Sequence, residues 1–102
     1  MSILNYFFQS NKKQVNYFLK RGAVILDVRT EREWNEGHLP NAIHVPLNKL
    51  KDYIEEIKRI NKPIIAHCKS GGRSAKATKL LKFYNIEAVN GGGIGDLQKL
   101  IV

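Results

Sequence analysis

Cysteine is nearly absent from this chain, with one residue, Cys68, among 102. A single cysteine excludes an internal disulfide and leaves no second thiolate for a cysteine-rich zinc site. Long apolar runs are missing too, because no segment approaches the roughly 18 apolar residues of a membrane span. Residues 1–10 lack the basic start and the unbroken apolar core of a signal peptide. We therefore expect a reduced, cytoplasmic protein without a membrane partner.

Acidic residues are also scarce: nine Asp and Glu stand against 17 Lys and Arg, for a net charge of +8. None lies between Ile57 and Ile86, where the basic residues are Lys58, Arg59, Lys62, Lys69, Arg73, Lys76, Lys79 and Lys82. Such a run is either an ordinary solvent-exposed face or a positive field that draws anions toward Cys68. No nucleic-acid-binding motif accompanies the lysines, so we predict no nucleic-acid partner.

The pattern of apolar residues predicts the fold class. A chain of 102 residues forms one domain, here residues 1–102, because half of it would be too small for a stable core. Buried strands are predicted at 23–28, 42–45, 63–67 and 86–89. Helices are predicted at 12–20, just after residue 30, at 48–57, at 74–83 and just before residue 100, with 1–11 unassigned. This alternation is typical of an α/β fold with a small, mostly parallel central sheet and helices on both faces.

Three local features refine this prediction. Thr30 is a suitable N-cap for a short helix, and Glu33, three residues later, completes a capping box. Asn48 is likewise expected to cap the next helix. Trp34 is assigned to the core.

Cys68 lies where a ligand site is expected. It follows the predicted strand 63–67, and a four-residue loop leads from it to Arg73 and Ser74, which open the next helix. In parallel sheets, ligands bind beyond the carboxyl ends of the strands. Two glycines, Gly71 and Gly72, let the loop turn its N–H groups inward as an anion-binding nest.

The surroundings of Cys68 predict a reactive thiol. The inward N–H groups, the positive end of the following helix and the charges of Lys69 and Arg73 all favour the thiolate. The pKa of this thiol should therefore fall below its ordinary value of about 8.5. We predict a nucleophile whose partner is an anion.

Four segments resemble the rhodanese family, in the family's order. Residues 68–74 (CKSGGRS) are similar to its active-site loop, and 26–29 (LDVR), followed by Glu33 and Trp34, to its first core strand. Residues 37–46 (GHLPNAIHVP) and 90–93 (NGGG) resemble two further motifs. The resemblance spans about residues 12–100, with two departures: Asn41 replaces a usual glycine, and Ile94 stands where an aromatic residue is common.

The resemblance implies a sulfurtransferase that forms a Cys68 persulfide from a small anionic donor such as thiosulfate. The donor and the transferred sulfur would be bound by the loop residues Lys69, Ser70, Gly71, Gly72, Arg73 and Ser74. Because the sequence has no second cysteine, the acceptor must be external: cyanide, a low-molecular-weight thiol or a protein thiol. No cofactor is expected.

Two other functions remain open. Cysteine-dependent phosphatases have a similar loop, but theirs is one residue longer between cysteine and arginine, and no general acid is evident here. A non-catalytic or complex-dependent sulfur-carrier module is the stronger alternative.

The remaining polar residues are given supporting roles. Asp27 and Arg29, at the carboxyl end of the first strand, are expected to brace the loop through hydrogen bonds. His67 should face away from Cys68 because side chains alternate along a strand, so no metal site is predicted. Residues 91–96 have Asp96 where a dinucleotide-binding loop needs glycine, which excludes that cofactor.

Overall fold

The computed structural model describes residues 3–101, and the side chains from residue 11 onward. The elements in chain order are α1 (Ile3–Lys20), β1 (Val24–Asp27), α2 (Glu31–Asn35), β2 (Ile43–His44), a 3-10 helix (Leu47–Tyr53), α3 (Ile54–Ile60), β3 (Ile64–Cys68), α4 (Gly72–Phe83), β4 (Ala88–Gly93) and α5 (Ile94–Ile101). Within this described part, no helix is both long enough and apolar enough to cross a membrane.

The four strands form one parallel sheet in the order β2-β1-β3-β4. The predicted α/β fold is thus confirmed. Asp27 pairs with His67 and Cys68 pairs with Gly93, so the carboxyl ends of β1, β3 and β4 meet at one edge. This edge holds the Cys68 loop.

The sheet separates two apolar cores. Strand β3 is buried along its whole length, and its residues alternate between the cores. Ile64 packs with Leu50 and Leu81 on one face, whereas Ile65 packs with Leu97 on the other, beneath α1 and α5. Cys68 belongs to the first core.

Some predicted boundaries were wrong. Helix α1 begins at Ile3, far before residue 12, and β4 runs through Gly93 instead of ending at residue 89. Asn48 caps no helix: it lies exposed inside the 3-10 helix, whose first turn closes with the Lys49 amide donating to the Pro46 carbonyl at 2.9 Å.

The structure also decides the roles of Thr30 and Trp34. The predicted capping box is present, with Thr30 and Glu33 each accepting the other's backbone N–H. Trp34, expected in the core, is only half-buried. Its ring stacks on His38 and His44, with centroids 3.5 and 4.7 Å apart. Trp34 therefore joins α2 to β2 at the surface.

Two glycines let β4 lie close to its neighbours. A Cβ on Gly91 would stand 2.7 Å from the Ile65 side chain, and one on Gly93 would stand 2.5 Å from the Lys69 carbonyl. The second contact involves backbone, which cannot move aside as a flexible side chain does. Glycine at position 93 is therefore a condition for the observed position of the loop.

We predict that Gly93→Ala lowers the free energy of unfolding by about 1–3 kcal/mol, since the added methyl group forces the loop away from β4. Urea denaturation measures this change. Gly95→Ala is the matched control, because a Cβ there meets nothing within 4 Å. It should leave stability unchanged or raise it by at most about 1 kcal/mol. Equal effects of both substitutions would contradict this account.

Candidate active site

The sulfur of Cys68 is surrounded by hydrogen-bonding groups. Cys68 ends β3 and is only 1% exposed. The Gly71 amide donates to Sγ at 3.0 Å, and the Ser74 amide donates at 3.4 Å. The Ser74 hydroxyl oxygen lies 3.3 Å from the same sulfur. Backbone and side-chain groups from the loop and α4 thus converge on one atom.

These contacts control the protonation of the thiol. Burial by itself raises the pKa of Cys68, but hydrogen bonds from the Ser74 hydroxyl and from the amides of Ser74, Gly71 and Ser70 outweigh it. The net result is a lowered pKa, because donors stabilise the charged sulfur. The predicted direction is confirmed.

The loop geometry explains why the amides point at the sulfur. Gly71 has φ = 102°, a left-handed conformation that favours glycine, and it immediately precedes α4. Helix α4 begins at Gly72, two residues before the predicted start. Ser74 therefore lies in the first helical turn, where backbone N–H groups have no partner within the helix.

Arg73 is engaged by a residue of another element. Its guanidinium donates to both carboxylate oxygens of Glu33 in α2, at 2.5 and 2.9 Å. This fork lowers the pKa of Glu33 to about 2. It also raises the pKa of Arg73, with a smaller contribution from the Cys68 charge. The inward N–H groups that the sequence predicted therefore lower the thiol pKa, together with the Ser74 hydroxyl. The predicted contribution of the Lys69 charge stays a prediction, and the Arg73 charge interacts with that of Cys68.

The lysines of the loop and of α4 are exposed to solvent. Because α4 runs from the active edge back toward the opposite edge, Lys82 lies far from Cys68. Exposure fits the solvent-face interpretation for the lysines at the far end of α4, whereas Lys69 lies next to Cys68 in the chain.

Asp27 and Arg29 do not brace the Cys68 loop, so that prediction was wrong. The Arg29 side chain binds both oxygens of Asp27 at 2.8–3.0 Å and donates to the Gly37 carbonyl at 2.7 Å. The reason is the alternation along the strands: Asp27 pairs in register with His67, whose side chain lies on the face opposite Cys68. The pair instead holds the segment before Leu39.

His67 is completely buried beside Asp27, with Nε2 3.7 Å from Oδ2. Among the described residues, neither ring nitrogen has a hydrogen-bond partner. Burial lowers the pKa of His67 more than the neighbouring Asp27 charge raises it. The described residues contain no cluster of three His, Cys, Asp or Glu side chains suited to a metal ion.

Sequence reasoning missed two residues that organise the site. Glu33 was assigned a capping role and quoted with a family motif, yet it also binds Arg73. Asn90 was quoted only within a motif, yet its side chain contacts Ser74, Gly71 and Gly92. The available signal for Asn90 was its place before three glycines at the end of a predicted strand, beside the Cys68 loop.

Comparisons with known proteins agree with this arrangement. The family model of the rhodanese-like domain matches residues 11–95. The thiosulfate sulfurtransferase GlpE of Pseudomonas syringae is 29% identical over 83 residues, covering 78% of this chain and 77% of that protein. A tRNA uridine(34) hydroxylase of Buchnera aphidicola is 34% identical over 91 residues, but this chain spans only 28% of its length.

Solved structures show the same fold. A rhodanese-related protein from Thermoplasma volcanium superposes with a TM-score of 0.72 at 27% identity, covering 86% of this chain and 87% of that one. A rhodanese-like domain protein from Staphylococcus aureus gives 0.67 at 33% identity, covering 74% of each chain. The family match contains the whole parallel sheet, the Cys68 loop and the glycines of β4. The chain therefore belongs to the rhodanese-like family.

Proposed function

We propose that this chain is a single-domain sulfurtransferase in which Cys68 carries a transferred sulfur atom as a persulfide. The observation that carries the proposal is the set of hydrogen-bonding groups around Sγ: the amides of Gly71 and Ser74, which donate to it, and the hydroxyl oxygen of Ser74, 3.3 Å away. They keep a buried sulfur anionic, as a nucleophile requires. The likeness to a thiosulfate sulfurtransferase supports this chemistry.

The first half of the reaction loads the sulfur. The Cys68 thiolate attacks the outer sulfur of thiosulfate, and a bond forms between that sulfur and Sγ. The sulfur–sulfur bond of thiosulfate breaks, and its electron pair leaves with sulfite. Arg73, held by Glu33 at the start of α4, and the exposed Lys69 attract the doubly charged donor and stabilise the departing anion.

The second half unloads the sulfur. An acceptor thiolate attacks the outer sulfur, and the electron pair of the breaking bond returns to Sγ. The amides that lower the thiol pKa now stabilise the leaving thiolate. Since the sequence holds one cysteine, the acceptor comes from outside: cyanide in an assay, or a small or protein thiol in the reducing cytoplasm.

A protein acceptor is the second candidate, and the burial of the sulfur favours it. Cys68 is 1% exposed, and the Arg73–Glu33 fork links α4 to α2 beside the loop. A docked partner that displaces this fork would open a path to Sγ. In that case, transfer to small acceptors is slow and a specific partner accelerates it.

Cys68→Ser should abolish loading, because a hydroxyl in place of the thiolate forms no persulfide. Intact-protein mass spectrometry after incubation with thiosulfate should show a gain of about 32 Da in the wild type only, the mass of one sulfur atom. Cyanide or a thiol should remove the added mass. An adduct on the Cys68→Ser protein would contradict the assignment of the nucleophile.

The alkylation rate of the wild type should rise with pH and reach its plateau below the ordinary thiol value of about 8.5, since the folded chain lowers the pKa of Cys68. Iodoacetamide reactivity between pH 5 and 10 measures this (a range of about five units around the reference value). The control is the same chain in denaturant, whose only thiol should titrate normally. Identical profiles for both states would contradict an activated thiol.

Arg73→Ala should raise the KM for thiosulfate about tenfold, a loss of about 1.4 kcal/mol of donor binding, with a smaller change in kcat. Steady-state cyanide assays measure both. Lys76→Ala is the matched control, since this exposed lysine lies on the same helix and carries the same charge. A KM that stays unchanged in Arg73→Ala would remove Arg73 from donor binding.

A further inference from the structure

Asn90 connects the three parts of the site: the loop, α4 and β4. Its Oδ1 accepts hydrogen bonds from the Ser74 hydroxyl at 2.7 Å and from the Gly92 amide at 2.9 Å. Its Nδ2 donates to the Gly71 carbonyl at 3.1 Å. An amide N–H only donates and a carbonyl only accepts, so Gly92 and Gly71 fix which end of the Asn90 side chain is oxygen.

This orientation determines where the Ser74 hydrogen lies. Because Oδ1 carries no hydrogen, the Ser74 hydroxyl must be the donor in their contact. A hydroxyl has a single hydrogen, so Ser74 then offers only a lone pair to Cys68, 3.3 Å away. A lone pair suits a neutral thiol, whose S–H donates to it. A thiolate instead accepts the Ser74 hydrogen. Asn90 Oδ1 and the thiolate therefore compete for the same hydrogen.

We propose that Asn90 is a positioning residue that acts on Cys68 through Ser74: it binds the hydroxyl hydrogen while Sγ is neutral and releases it when Sγ is anionic. When the thiol ionises, its proton leaves to solvent and the hydroxyl turns from Oδ1 to Sγ. Oδ1 keeps the Gly92 amide as a partner, so its release of Ser74 leaves no buried acceptor without a hydrogen bond.

The consequence for transfer rests on the proposed function. Sγ is anionic as the attacking thiolate, neutral within the persulfide, whose charge sits on the outer sulfur, and anionic again as the leaving group. The Ser74 hydroxyl therefore turns toward Sγ for each chemical step and back toward Asn90 between them. A single hydroxyl serves both half-reactions.

A double-mutant cycle tests the proposal with four proteins: the wild type, Asn90→Ala, Ser74→Ala and the double variant. The readout is the thiol pKa, taken from the pH dependence of iodoacetamide alkylation without any sulfur donor. The charged side chains around the loop stay the same in all four, so the cycle isolates the hydroxyl. They are Lys69, Arg73 and Glu33 beside the loop, and Lys12, Asp96 and Lys99 across the neighbouring cavity.

With Ser74 present, Asn90→Ala should lower the thiol pKa by about half a unit or more, because the hydroxyl hydrogen is now available to the thiolate. With alanine at position 74, the same substitution should not lower it. If Asn90 only braced the loop, its substitution would have the opposite effect. The amides would move away from Sγ, and the thiol pKa would rise both with Ser74 and with alanine at position 74. A raised pKa in both backgrounds therefore overturns the proposal.

Asn90→Asp provides a second test that keeps the size and the acceptor oxygen. A carboxylate binds the Ser74 hydrogen more strongly, so the thiol pKa should rise by about one unit or more, and by more with Ser74 than with alanine there. Asn16→Asp, on the exposed side of α1, is the control for added charge and should leave the pKa unchanged. An equal rise of the thiol pKa with Ser74 and with alanine at position 74 would mean that the residue at position 90 acts by its charge alone, against the proposal.

The two proposals fail separately. If thiosulfate leaves no persulfide but Asn90 and Ser74 remain coupled in the alkylation assay, only the sulfurtransferase proposal falls. If the persulfide forms but the coupling is absent, only the role of Asn90 falls.

Discussion

The hydrogen bonds to the Cys68 sulfur are the constraint on which the rest of the site depends. A buried thiolate is unfavourable without donors, and here the Gly71 and Ser74 amides donate to the sulfur while the Ser74 hydroxyl lies 3.3 Å from it. Bringing them to one atom requires a left-handed residue at 71 and a helix that begins at once. It also requires β4 to pass close behind the loop, which only glycine at 93 allows. These features of the fold together place hydrogen-bonding groups around the Cys68 sulfur.

The net positive charge of the chain has less effect on the Cys68 site than the number of lysines and arginines suggests. The chain carries +8, but two of the arginines near this edge of the sheet are paired: Arg73 with Glu33, and Arg29 with Asp27. Bidentate pairs of this kind fix side-chain directions more than they change potentials over distance. The thiol is therefore controlled by short hydrogen bonds, which are directional and little affected by salt. The lysines, Lys69 of the loop included, are all exposed to solvent.

A group that stabilises the attacking thiolate also stabilises the same thiolate when it leaves, so one set of donors suits both halves of a sulfur transfer. In the transfer proposed for this chain, the persulfide between these steps differs, because its charge lies on the outer sulfur and not on Sγ. The backbone amides are fixed and cannot respond to that change, whereas the Ser74 hydroxyl can rotate. When the hydroxyl turns away from Sγ, its hydrogen is accepted by Asn90, so no buried hydrogen is left without a hydrogen bond.

The sequence by itself determined the parallel α/β fold, the loop at the end of β3 and the family, because apolar periodicity and loop composition are local properties. The Thr30–Glu33 capping box was readable for the same reason. Packing against distant elements decides where α1 begins, how long β4 is and where Trp34 lies. These three features could therefore not be predicted from the sequence. Only the tertiary structure brought Glu33 to Arg73, 40 residues away, and Asn90 to Ser74, 16 residues away. Side-chain hydrogen bonds between separate elements need both partners placed in three dimensions, and a linear pattern does not contain that information.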